Sequence, residues 1–185
     1  MSDNNGNWPT WFTNIVNKVV KTVKSIVERV LTVKKDVPLY SQGNTNLCWA
    51  YTQIMVEDYK SGIVRTQKGA EKRAIQVAKK VNGDNWNQAS FPQNSGKSVG
   101  CKNCMDLFLA ISKYGPLHAS YGCYEGDQRV MGHSVVVTGV NVVKGTVYTN
   151  NPWGIYGEQS YEEFIQIFAE GSGEGWKLDA CYRFD

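Results

Sequence analysis

Cys48 stands where an apolar helical pattern begins, and this position favours a reactive thiol. A polar loop over residues 42–47 leads into the pattern, and apolar residues then recur at helical spacing until Gly62. The first N–H groups of a helix have no intrahelical partner, and they favour a thiolate over a thiol. Gln42 lies six residues upstream of Cys48, close enough to place its side-chain amide beside the sulfur. The other interpretation is a buried structural cysteine at the start of a core helix.

Three separated segments together resemble the active-site motifs of papain-like cysteine proteases. The run from Gln42 through Cys48 resembles the nucleophile segment of that family. Residues 132–139 resemble its histidine strand, and residues 151–154 resemble its Asn-x-Trp-Gly turn. The segments occur in the family's order and cover most of residues 37–157. The chain is therefore identified as a compact, bacterial-type member of the papain-like superfamily.

The resemblance implies catalytic roles for four residues. Cys48 would be the nucleophile and His133 the base, held together as a thiolate–imidazolium pair. Asn151 would orient the His133 ring, and Gln42 would bind the oxyanion together with the Cys48 backbone N–H. Attack on a peptide carbonyl, followed by hydrolysis of the thioester, would make the chain a cysteine endopeptidase. We expect this hydrolase to need no cofactor and no metal.

Two of these assignments have competitors in the sequence. His118 is the other histidine, but its surroundings resemble a structural strand of the family. Asn150 directly precedes Asn151, and the Asn-x-Trp-Gly spacing selects Asn151 for the third role. Trp153 resembles the family tryptophan that shields the Asn–His hydrogen bond from water.

The same Cys–His–Asn chemistry serves more than one reaction. The alternative to a peptidase is an acyltransferase, such as a transglutaminase, or a deamidase acting on a protein side chain. An inactive binding module is a third class. The chain is also similar to bacterial effectors and toxins, so we expect a protein or peptide substrate and an inhibitor or immunity protein as partner.

The four other cysteines leave the redox state open. Cys101 and Cys104 form a Cys-x-x-Cys pair, which is a weak metal or redox signal without a second such pair. With Cys123 and Cys181, two disulfides are arithmetically feasible. Papain-like enzymes often carry a disulfide beside the nucleophile, but that bridge cannot form here, because residues 45–47 are Thr-Asn-Leu. Free thiols and disulfides both remain open.

The order of the predicted elements indicates an α+β fold. Helical patterns cover the Cys48 segment, residues 66–81 and residues 104–114, and strand patterns dominate the second half of the chain. A capping box at Ser160 opens a short helix predicted to run through Phe168. This order matches the two-lobe papain-like fold, in which a helical lobe carries the nucleophile and an antiparallel β-sheet lobe carries the His and Asn.

We predict that the residues before 36 form two segments that are separate from the catalytic domain, which is predicted over 36–185. Residues 1–10 are rich in Asn and Gly, which predicts disorder. Over 11–35 we predict a basic amphipathic helix, because residues 11–33 carry apolar residues at alternating steps of four and three, with lysines opposite. We expect this helix to dock its apolar stripe on the catalytic domain. Self-association, a membrane surface or a partner's groove are the alternatives.

The composition of the 185-residue chain is that of an ordinary globular protein, with 42% hydrophobic and 20% charged residues. The net charge of +3 is uneven, since residues 1–35 carry +4 and residues 36–185 sum to −1. The catalytic part therefore has no basic surplus, and no nucleic acid is expected as a partner. Neither a signal peptide nor a membrane-spanning pattern is evident. The expected location is the cytoplasm, or export by a dedicated secretion system.

Overall fold

The computed structural model describes residues 9–87, 96–125, 127–168 and 175–184. The predicted disorder concerns residues 1–10, of which 1–8 lie outside the described residues. The helices of the described part are α1 (Thr10–Val30), α2 (Cys48–Ser61), α3 (Gln67–Asn82), α4 (Cys104–Tyr114) and α5 (Tyr161–Ile165). The strands are β1 (Thr32–Lys34), β2 (Lys97–Val99), β3 (Leu117–Glu125), β4 (Gln128–Asn141), β5 (Thr146–Asn151), β6 (Ile155–Ser160), β7 (Gln166–Phe168) and β8 (Gly175–Arg183).

Helix α2 is enclosed on nearly all sides, and this fixes the position of Cys48 at its start. Trp49, Ile54 and Met55 are among its buried residues, and the helix packs against α3 and β4. Gly62 ends the helix in the left-handed region, at a φ of 65°, which suits glycine. Among the described residues, no side chain caps the first turn. Leu47, the residue before the helix, therefore offers no side-chain acceptor to the first N–H groups of α2.

The second half of the chain forms one antiparallel sheet with the strand order β2-β8-β3-β4-β5-β6. Strand β1 is added beside β4, and β7 beside β8. Alternate residues of β4 face two separate cores, as expected for a strand buried on both sides. Val136 packs in the core of α2 and α3, whereas Val135 and Val137 pack in the core of α4. The central strand thus joins the helical part to the sheet, and the predicted α+β papain-like class is confirmed.

A network around the buried Asp58 carboxylate holds the segment before the active-site loop against α2. Asp58, which is 2% exposed, accepts hydrogen bonds from the Arg65 guanidinium at 2.8 and 2.9 Å. The Tyr40 hydroxyl also donates to Asp58, at 3.0 Å. Since a buried carboxylate is costly without partners, this network is expected to fix the entry into residues 42–47.

Helix α5 is shorter than the sequence predicted. The capping box of Ser160 and Glu163 is present, but the helix ends at Ile165 instead of continuing through Phe168. Residues 166–168 pair with β8 as strand β7. The backbone groups of these residues are satisfied by the neighbouring strand, a tertiary effect that overrides the local helical pattern.

Helix α1 does not dock its apolar stripe on the domain, so that part of our prediction is wrong. None of its residues is buried, and Val16 is 41% and Val30 65% exposed. Among the described residues, the polar contacts between the helix and the domain lie near the C-terminal end of the helix. Lys144 forms an ion pair with Glu28 at 2.6 Å, and the Val142 N–H donates to the Leu31 carbonyl at 3.0 Å. The rest of α1 therefore presents its stripe to solvent.

Strand β1 continues from α1 and lies unusually close to β4. A Cβ added at Gly139 would lie 2.7 Å from the Lys34 Cα, so glycine is required for this approach. The attachment of α1 through β1 thus depends on the glycine at position 139 of β4. Across the described ranges, none of the helices combines the length and the apolar content needed to cross a membrane.

Candidate active site

A cleft of about 430 Å³ opens at the start of α2. Cys48 and Trp49 line it from the helix side, His133 and its neighbours line it from β4, and Trp176 lines it from β8. The structure therefore places the predicted nucleophile and the predicted base in the same cleft. Gln42 and Asn151 are not among the described residues that line it.

Asn151 lies at the end of β5, where its side chain reaches His133. The His133 Nε2 and the Asn151 Oδ1 are 3.1 Å apart. Because an amide oxygen can only accept, this contact requires the proton on Nε2 and leaves Nδ1 as the basic nitrogen of the ring. The Trp153 backbone N–H also donates to the Asn151 Oδ1, at 3.1 Å, which further fixes the amide.

The ring of Trp153 lies over His133. The ring centroids are 4.5 Å apart and the planes are inclined by 28°, and Trp176 meets the same histidine edge-on at 6.4 Å. Gly154 allows the turn behind Trp153 because its φ of 82° is unfavourable for other residues. The imidazole is thus held by one hydrogen bond and two aromatic rings.

Gln42 is tied to the turn that carries Asn151. Its backbone N–H donates to the Pro152 carbonyl at 2.6 Å, so the nucleophile loop and the Asn151 turn are directly joined. The Gln42 Nε2 donates to the Thr45 carbonyl at 2.7 Å, whereas its buried Oε1 has no hydrogen-bond partner among the described residues. One of the two N–H groups on Nε2 remains for another acceptor.

Burial opposes the thiolate that the helix position predicted. Cys48 is only 8% exposed, and this burial raises the pKa of its thiol, although hydrogen bonds from Ser134 act in the opposite direction. Burial also lowers the pKa of His133, against a smaller upward effect of the Asn151 hydrogen bond. Both shifts favour a neutral thiol and a neutral imidazole over the ion pair in the free enzyme. The expected lowering of the Cys48 pKa is therefore not what the structure shows.

His118 belongs to a buried network behind Cys48. It is fully buried, and its Nε2 lies 3.0 Å from the Ser134 Oγ. Burial lowers the pKa of His118 to about 3, so the ring is neutral at physiological pH. Ser134 in turn hydrogen-bonds to Cys48, a link that sequence analysis missed. The one sequence signal for this link is the alternation of β4, which turns Ser134 to the face opposite His133.

In the structure the five cysteines are free thiols, the first of the two states that the sequence left open. A hydrogen bond from the Cys181 side chain lowers the pKa of Cys101 to about 7. Cys101 is partly exposed, so its thiolate is expected to react readily with simple alkylating agents at neutral pH. Selective alkylation is therefore an ambiguous assay for Cys48 in this chain.

Comparison with protein families places this geometry in context. A family model described as papain-like cysteine protease AvrRpt2 matches residues 31–169. The chain belongs to this family. The matched AvrRpt2 region contains the Gln42 loop, the Asn151 turn and all the residues that line the cleft except Trp176, and it begins immediately after α1. Comparison with curated proteins gave no match.

Membership in the AvrRpt2 family confirms the predicted papain-like superfamily and supports a cysteine protease. It also supports a protein as substrate.

Proposed function

We propose that this AvrRpt2-family chain is a cysteine endopeptidase in which Cys48 attacks the peptide bond, His133 transfers the proton and Asn151 orients His133. The observation that carries the proposal is the 3.1 Å contact between Asn151 and His133 at the wall of the cleft that Cys48 also lines. This contact leaves the basic nitrogen of the imidazole for the thiol. A purely structural cysteine would not need a histidine oriented in this way.

The proposed reaction begins from the neutral pair. His133 Nδ1 takes the Cys48 proton as the sulfur attacks the carbonyl carbon, and the carbonyl oxygen becomes an oxyanion. The imidazolium then protonates the leaving amine as the C–N bond breaks. Water attacks the resulting thioester, again with His133 as base, and the acid product and the free thiol are released.

The oxyanion is proposed to bind the Cys48 backbone N–H and the remaining N–H of Gln42 Nε2. The uncapped start of α2 and the fixed Gln42 amide support this role. A preorganised donor of this kind typically contributes about 2.7–4 kcal/mol to the transition state. The Gln42 Oε1 would take no part, since an oxyanion requires donors.

The walls of the cleft favour an uncharged substrate side chain beside the cleaved bond. Trp49, Met131 and Trp176 make much of the lining apolar. Arg129 also lines it, but its guanidinium is 3.2 Å from Asp179, so its charge is offset. Together with the family match, this supports a protein substrate. We place the enzyme among bacterial effectors or toxins, with an inhibitor or immunity protein as the expected counterpart.

The reaction class is tested with a labelled unfolded protein such as casein. We expect the native enzyme to release labelled peptides without releasing ammonia and without incorporating an added primary amine. Ammonia release or amine incorporation in the absence of new peptides would show a deamidase or a transglutaminase instead, and would contradict the proposal.

Asn151 and its neighbour Asn150 provide a matched pair of variants. We expect Asn151→Ala to lower kcat by about tenfold or more with little change in KM, because the orientation of His133 acts on the chemical step. Asn150→Ala should instead lower the thermal stability, because the buried Asn150 Nδ2 donates to the Val37 carbonyl at 2.8 Å. Steady-state kinetics and thermal unfolding of both variants make the comparison. A larger loss of kcat in the folded Asn150 variant would contradict the assignment.

A further inference from the structure

The apolar face of α1 is large and unoccupied by the described part of the chain. Eight aliphatic side chains on it are each at least 41% exposed: Ile15, Val16, Val19, Val20, Val23, Ile26, Val27 and Val30. At the 3.6 residues per turn of an α-helix, they span an arc of about 140°. Monomeric proteins rarely expose a continuous apolar surface of this kind without a binding role.

The charge of α1 identifies the kind of surface that would cover this face. Lys18, Lys21 and Lys24 lie on the polar side of the helix. The one acidic residue of α1, Glu28, is held by Lys144 at 2.6 Å and by Asn141 at 3.4 Å. Arg29 adds a fourth positive charge in the last turn. The helix therefore offers an apolar face together with an uncompensated basic one, which is complementary to an anionic lipid surface.

A second copy of the helix fits this pattern less well. In a coiled coil, charged residues beside the central seam form salt bridges that select the partner. Beside the seam that the alternating steps of four and three define in α1, Ile15, Val20 and Val27 are apolar, so the apolar arc is broader than a coiled-coil seam. Arg29 is the one charged residue beside this seam, and Thr13 and Thr22 are uncharged. The lysines lie too far round the helix to pair across such an interface. Trp11, which is 64% exposed at the start of the helix, is instead typical of a membrane interface.

The attachment of α1 keeps it away from the cleft. Its C-terminal end is tied to residues 141–144, at and just after the end of β4, whereas His133 lies in the first half of that strand. Asn141 lies eight positions after His133 in the extended strand, a distance of about 27 Å. A surface that covers α1 therefore need not block the active site.

We propose that α1 lies in the surface of an anionic membrane, with its Val and Ile face among the acyl chains and its lysines at the headgroups. The catalytic domain is then held at the membrane with its cleft open to proteins near that surface. This proposal concerns residues outside the matched family region and does not depend on the proposed protease activity.

The test uses the full chain and sedimentation with vesicles of phosphatidylcholine, alone or mixed with phosphatidylserine. We expect binding to the mixed vesicles that weakens as salt is added, and little binding to phosphatidylcholine alone. The triple variant Lys18→Glu, Lys21→Glu, Lys24→Glu should lose at least about a hundred-fold in partitioning. The pair Val19→Asn, Val23→Asn should also abolish binding, since it removes the centre of the apolar face.

The matched control is Lys72→Glu, Lys79→Glu, Lys80→Glu on α3, where three exposed lysines are changed with the same effect on net charge. This variant should keep most of the vesicle binding. Two results with vesicles would overturn the proposal: an equal loss of vesicle binding in the α3 control, or failure of the native chain to bind mixed vesicles. A third would be sedimentation of the native chain, without vesicles, as a dimer that the pair Val19→Asn, Val23→Asn dissociates. The last result would show that a second copy covers the face.

Discussion

Replacement of Cys48 by alanine is expected to lower kcat/KM by at least about ten-thousand-fold, because it removes the sulfur that we propose forms the covalent bond to substrate. The loss should appear in kcat, and the variant should still bind substrate. Thermal unfolding should change little, since alanine fits the start of a helix and leaves only a small void. Peptide release from a labelled protein, with substrate binding measured separately, makes this comparison.

Cys104→Ala is the matched control for this substitution. Cys104 also begins a helix, α4, and is partly buried, but it is not among the described residues that line the cleft. We expect this variant to retain full activity. If Cys104→Ala is as inactive as Cys48→Ala while both remain folded, Cys48 is not the nucleophile.

Replacement of His133 by alanine is expected to lower kcat by about 10²- to 10⁴-fold, the usual contribution of a general acid–base residue. His118 is the other histidine of the chain and provides the comparison. His118→Gln keeps a polar group near the Ser134 hydroxyl, so the folded variant should retain most of its kcat although its stability falls. A loss in folded His118→Gln equal to that in His133→Ala would move the role of base to His118.

The pH dependence of the native enzyme follows from the same residue. The proposed mechanism requires neutral His133, and this form is lost as the pH falls through the pKa of His133 in the folded protein. Because burial lowers that pKa below its ordinary value of 6.5, the acidic limb of kcat/KM should lie below pH 6.5. An acidic limb above pH 6.5 that disappears in His133→Ala would contradict the lowering of the His133 pKa by burial.

Local signals in the sequence identified the elements that carry the site. The start of α2 at Cys48 and its end at Gly62 follow from apolar spacing and a left-handed glycine. The capping box at Ser160 is also local, and the structure contains it. Each of these features depends on residues within a few positions of one another, which a single sequence displays directly.

Features that depend on distant residues were not predictable in this way. Whether the stripe of α1 is covered depends on where β1 joins the sheet, and the close approach at Gly139 allows β1 to pair with β4 there. The pKa of Cys48 depends on how deeply its thiol is buried. The position at the helix start alone therefore predicted the wrong direction for the pKa shift. The link from Ser134 to His118 exists only because β3 and β4 pair in one register.

The central claim is that the cleft of Cys48 and His133 cleaves peptide bonds, and its most direct test is the mapping of new protein N-termini. A native bacterial or host-cell protein extract is incubated with the wild-type enzyme or with Cys48→Ala, and the N-termini in each are identified by mass spectrometry. The account predicts a set of new N-termini that is present with the wild-type enzyme and absent with Cys48→Ala, with uncharged residues enriched beside the cleavage sites. The same set of N-termini from both proteins would contradict it.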